Sequence, residues 1–185
     1  MRIRSLAIAA LSLSLGWLPI QSFAHDSGGA YDEEELTPEA RQQLAALRSA
    51  TAPYHDFSAA TAPGSGPWEV PLTLCMSAPE GGMGYHYANL ANFGVHDPAR
   101  PQLLIYEPQK NGSMQLVAVE YIFIDGGDHP NEADTPEPPP MFGQHFHYVG
   151  APFDLWGLHA WVWRNNPSGL FADWNPNVSC KYGVQ

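Results

Sequence analysis

His145 and His147 stand two residues apart in FGQHFHYVG. In an extended strand that spacing puts both imidazoles on one face, with Gln144, Phe146 and Tyr148 on the other. Neutral imidazole is the commonest protein metal ligand and titrates near physiological pH. The pair opens the richest stretch of the chain, residues 141–180, which holds three of the eight histidines, four of the six tryptophans and one of the two cysteines. Two further histidines sit in strand-like runs, His86 in GMGYHY and His159 in LHAWVW, and Glu120 interrupts the apolar run LVAVEYIFI. Two or three imidazoles with one carboxylate suit zinc, copper or non-haem iron. His86, His147 and His159, with His145, are therefore the candidate metal ligands. Glu120 is a candidate ligand-binding residue, a general base of raised pKa, or the partner of a buried arginine such as Arg164.

The sequence does not bring these residues together. No HExxH is present, and Asp154 follows His147 by seven residues, a poor match to cupins, which need an acid shortly after HxH. A strand histidine beside aromatics also reads as a satisfied core residue. No reaction follows from these residues, so the chain is assigned neither as an enzyme nor as a non-enzyme. Trp161 and Trp163, with Trp156, Trp174, Tyr148 and Phe171, offer another chemistry, stacking on a sugar or aromatic ligand. The competing reading is that these rings fill the core of a small β-rich domain. Asp125, Asp128, Glu132 and Asp134 match no calcium-loop spacing. GxSxG is absent, and the glycines around Ser65 lack the lysine of a phosphate loop.

The ends bound the compartment. Arg2 and Arg4 precede a mostly apolar run over residues 6–18, and Ser22-Phe23-Ala24 has the small-x-small form of a cleavage site. Residues 1–24 are read as a signal peptide cleaved after Ala24, which predicts a periplasmic or secreted protein. Its removal takes two of eight basic residues and none of nineteen acidic ones, leaving a formal charge of −13. So acidic a chain repels nucleic acid and anionic membranes. No later run reaches membrane-spanning length. Cleavage would leave His25 as an N-terminal imidazole able to chelate copper with the free amine. The acidic Gly- and Ser-rich residues 25–35 after it read instead as a flexible tail. Cys75 and Cys180, an even pair in an exported chain, predict one disulfide.

The elements that must position these groups follow from periodicity. Residues 36–50 predict a helix, with Thr37 as cap, Pro38 in the first turn and Leu36, Ala40, Leu44 and Leu47 on one stripe. A second short helix is expected over 54–62. Strands are expected over 68–76, 85–88, 102–107, 114–124, 142–149 and 155–163, with Asn111-Gly112 turning a hairpin. Both faces of 114–124 are apolar, so that strand should be central, with Glu120 an acid in a mostly apolar row. Residues 125–140 form an acidic, proline-rich loop. In 155–163, alternation puts His159, Trp161 and Trp163 on one face and Trp156 on the other.

Several of these pieces occur together. ALRSATAPYHD (46–56), GMGYHY (82–87), RPQLLIYEP (100–108), LVAVEY (116–121), FGQHFH (142–147) and LHAWVWRNNPSGLFADWNPNVSC (158–180) span most of the chain. Through them it resembles a family of exported bacterial proteins. The family pattern is FGQxFH with a variable residue before the Phe, which ranks His147 above His145, and histidines matching His86 and His159 belong to it. The resemblance implies an exported single domain and carries no catalytic assignment.

Together these features predict one α+β domain over 36–185. An N-terminal helical segment packs on a mostly antiparallel, twisted sheet or half-barrel closed by one disulfide. The function they point to is an exported protein with a His-lined pocket for a transition metal or small ligand. The alternatives are a non-catalytic binding module using exposed aromatics for a carbohydrate or aromatic ligand, or a structural envelope protein.

Overall fold

The computed structural model describes residues 36–124, 136–150 and 153–184. The expected signal peptide, the acidic tail with His25, and Asp125, Asp128, Glu132 and Asp134 lie outside them. The first element is helix α1 (Pro38–Thr51). Thr37 Oγ1 accepts a hydrogen bond from the Ala40 N–H, and Glu39 and Arg48 complement the positive and negative ends of the helix. A 3-10 turn (Ala52–His55) leads into the short helix α2 (Phe57–Thr61), capped by Asp56.

Seven strands follow: β1 (Val70–Pro71), β2 (Met76–Ala78), β3 (Gly81–Ala88), β4 (Leu103–Pro108), β5 (Met114–Ile124), β6 (His147–Val149) and β7 (Leu155–Ala160). They form one open, antiparallel sheet in the order β1-β3-β4-β5-β7-β6, with β2 also paired to β3. β5 is central, as its two apolar faces predict, and Gly112 turns the β4–β5 hairpin with a φ of 81°. The α1 stripe of Leu44 and Leu47 packs in one core with Leu104, Tyr106, Val119, Tyr121, Leu158 and Ala160. Residues alternate across a strand, so the opposite face carries Leu103, Ile105, Ala118, Glu120, Ile122, Gly157 and His159. Leu103, Glu120 and His159 form one cross-strand row on that face. β3 alternates strictly between half-buried and buried positions, and His86 is on its buried side. Gly84 in GMGYHY, with φ 110°, is held to glycine because an added Cβ would meet the Tyr106 carbonyl oxygen at 2.6 Å.

Three strand expectations are corrected. The strand expected over 68–76 is broken into β1 and β2, because Pro71 has no N–H for the ladder and regular pairing with β3 lapses past the Leu72 N–H, which donates to His86 O, until Met76. The strand expected over 142–149 is reduced to β6. Phe142 and Gly143 take φ values of 56° and 72°, and Met141 and Gln144 close a tight turn on each other. The strand expected over 155–163 ends at Ala160. Beyond it the Trp161 N–H donates to Leu170 O and the Trp163 N–H to Val117 O, so strand alternation stops between the two tryptophans.

Cys75 and Cys180 form the disulfide, with Cα atoms 5.6 Å apart and 105 residues of separation. Among the described residues no helix is long and apolar enough to cross a membrane. A loop of about 100 residues is worth roughly 4.7 kcal/mol in the chain-entropy model, less any native strain. Replacing both cysteines by serine should lower the unfolding free energy in urea by roughly 2–5 kcal/mol. A loss near zero would show that the bond ties segments already fixed by packing.

Candidate metal centre

Three strands deliver three polar side chains to the face that the helices leave uncovered. β3 supplies His86, β5 Glu120 and β7 His159, each less than a tenth exposed. Glu120 and His159 are direct cross-strand partners, and His86 reaches across β4, whose Leu103 and Ile105 lie between them on that face. Glu120 Oε2 is 3.4 Å from His86 Nε2 and 3.8 Å from His159 Nε2. One donor atom from each of the three residues lies within 4.8 Å of the others, a buried group able to hold a metal ion. Donors 2.0–2.2 Å from a tetrahedral ion are about 3.4 Å apart, so the two measured separations are close to what coordination needs.

The outer nitrogens are aimed as well. His86 Nδ1 is 3.0 Å from Thr73 Oγ1, which also accepts from the His86 backbone N–H at 3.3 Å. His159 Nδ1 faces Asp173 Oδ1 at 3.6 Å, just beyond a formed hydrogen bond, and Trp161 stacks on the ring at an interplanar angle of 10°. Neither nitrogen of His159 has a hydrogen-bond partner, although both are buried. An unpartnered buried imidazole is costly, and here it points one nitrogen at a carboxylate and the other at the cluster. On Glu120 the close approach is made by Gly157, whose missing Cβ would lie 3.1 Å from Oε1.

Burial sets the charges. Desolvation, aided by the nearby His159, pushes the His86 imidazole down to about 3. It also raises the Glu120 carboxyl, with Asp173 adding to the rise and His159 opposing it. For His159 desolvation pulls downward, but Glu120 and Asp173 together override it and raise the imidazole. Asp173 is held below the usual carboxylate range, first by His159 and then by His147. Burial thus keeps His86 neutral, while Glu120 and His159 are both shifted toward their protonated forms.

The other expected site residues fall elsewhere. His147 lines the same pocket but is largely exposed, and its Nδ1 bonds Asp173 Oδ2 at 3.0 Å rather than joining the cluster. His145 is turned outward to Glu137 at 2.8 Å, because the Phe142-Gly143 turn removes the strand that would have aligned it with His147. Arg164 pairs with Glu107 and not with Glu120. Trp161 is buried among Ile105, Val117, Ala118 and Val178, while Trp163 packs on the helical side and donates to Thr51 Oγ1. The two rings therefore lie in different clusters and form no shared stacking platform. Thr73, Gly157 and Asp173 went unseen in the sequence. Thr73 and Asp173 sit in irregular segments, where no periodicity says which way a side chain points.

Compared with known protein families, curated proteins and solved structures, the chain has no match. What can be said of function rests on the site itself.

The pKa directions carry signs that can be measured on metal-free protein. His86 binds a proton in the unfolded chain below its ordinary value near 6.5 but in the folded chain only near 3, so it costs stability as pH falls through that window. Glu120 and His159, both raised, act oppositely, and their contributions are lost as pH rises through their folded values. His86→Leu should therefore lose less stability than the parent between pH 7 and pH 4 (about three pH units) in urea titrations. An equal loss in both proteins would show that His86 ionises freely in the fold.

Proposed function

We propose that this chain is an exported protein that binds one divalent transition-metal ion through His86, Glu120 and His159, on the floor of a ligand pocket. The observation that carries the reading is the pairing of each buried histidine. Both Nδ1 atoms face an oxygen, Thr73 Oγ1 or Asp173 Oδ1, while both Nε2 atoms face the same carboxylate oxygen of Glu120. Outer oxygens that fix ring orientation and tautomer are the usual support of metal-ligating histidines. A carboxylate buried without a lysine or arginine is otherwise hard to account for.

Two imidazoles and a carboxylate with open positions are the donor set of catalytic zinc sites and of the facial triad of non-haem iron enzymes. We favour zinc, because it is redox-inert and the disulfide argues for an oxidising compartment, where ferrous iron does not persist. Export itself is supported by the disulfide, by the signal-like first 24 residues and by the resemblance of the motifs to exported bacterial proteins.

Purified without a histidine tag, the protein should take up about one zinc per chain, as expected for a single site. His86→Ala and His159→Ala should each weaken uptake by about a hundredfold or more, while the outward-facing His145→Ala should leave it unchanged. Glu120→Gln should abolish tight binding and also destabilise the metal-free fold, because it removes the carboxylate that both buried imidazoles face. Calorimetry in buffers of different ionisation enthalpy should show protons released on loading, because ligand atoms must be deprotonated and both Glu120 and His159 are raised. Uptake that ignores His86→Ala and His159→Ala would sink the assignment.

A further inference from the structure

A single cavity of about 640 Å³ opens over the cluster, a size typical of small-molecule sites. Its lining is graded. The floor is buried and polar, with His86, Glu120 and His159 beside Leu103 and Ile122. The walls are mostly apolar, with Met76, Met83 and Leu155 joined by the rings of Tyr148 and Trp174, and His147 and Asp173 stand at one side. At the mouth Leu72, Val149 and Phe153 are 46%, 39% and 55% exposed, three large apolar side chains left in water around one opening. Grouped exposed apolar residues mark a binding surface. The two methionines add side chains that adapt to an irregular ligand.

We propose that this pocket binds an amphipathic monocarboxylate. Its hydrocarbon body lies along Leu72, Met76, Met83 and Phe153, and its carboxylate turns toward the His86–Glu120–His159 cluster. The contact of the head group rests on the metal site proposed above, whereas the seat of the body does not. A divalent ion held by Glu120 and two neutral imidazoles offsets the charges of Glu120 and Asp173 and keeps open coordination positions facing the cavity, which a carboxylate oxygen can fill. Without an ion, Glu120 and Asp173 both line the cavity and repel an anion.

Decanoate and decanol separate the two halves of the proposal, with each titrated calorimetrically into zinc-loaded and zinc-free protein. Decanoate should bind the zinc form about tenfold or more tightly than the zinc-free form, the weight of one charge-assisted contact. Decanol affinity should be alike in both forms. Leu72→Gln and Phe153→Gln, both at exposed positions, should weaken both ligands while leaving zinc affinity unchanged. Zinc uptake with no binding of either ligand overturns this proposal and leaves the metal site standing, as does decanoate binding that is indifferent to zinc or to both mouth variants. Failure of the protein to take up zinc overturns the metal site and the head-group contact together.

Discussion

A carboxylate on the central strand of a sheet buried on both faces must be satisfied from within the fold, and here the neighbours of Glu120 answer to it. Among the described residues no lysine or arginine pairs with it, and Arg164 pairs with Glu107 instead. What surrounds it instead is an imidazole from the next strand, an imidazole reaching over β4, and a glycine that lets the chain come close. Breaking one member of such a buried set leaves an uncompensated charge, so the three residues behave as a unit. The helices cover only the other face of the sheet, which keeps this face free to form a pocket above the charge.

The second layer gives the cluster its direction. Thr73 bonds the outer nitrogen of His86 and Asp173 faces that of His159, while Trp161 stacks on the His159 ring. His147 is tied to Asp173 from the solvent side, so the acid is shared between an exposed and a buried imidazole. The electrostatic balance of the centre therefore extends to the surface through one aspartate.

Strand periodicity made part of this legible beforehand. The apolar row of β5 showed Glu120 as an odd residue on a central strand, and alternation marked His86 and His159 as candidates before their convergence was visible. That convergence depends on which strands neighbour one another, and local pattern does not encode the order β3-β4-β5-β7. The HxH pair misled because a phenylalanine with positive φ ends the extended conformation just ahead of it, a conformation its residue type does not announce. The tryptophans misled because alternation was carried past Ala160, where the backbone bonds turn from the neighbouring strand to Leu170.

The place of the disulfide bears on how the protein matures. Cys75 follows Thr73 by two residues, and Cys180 ends the segment that carries Asp173. Before oxidation these two sulfurs would be thiols, and thiolates compete strongly for zinc and copper. Closing the bond removes that competitor and holds both supporting oxygens where the histidines need them. On the proposed metal reading, oxidation would precede loading, since a chain kept reduced would offer its metal two competing thiolates.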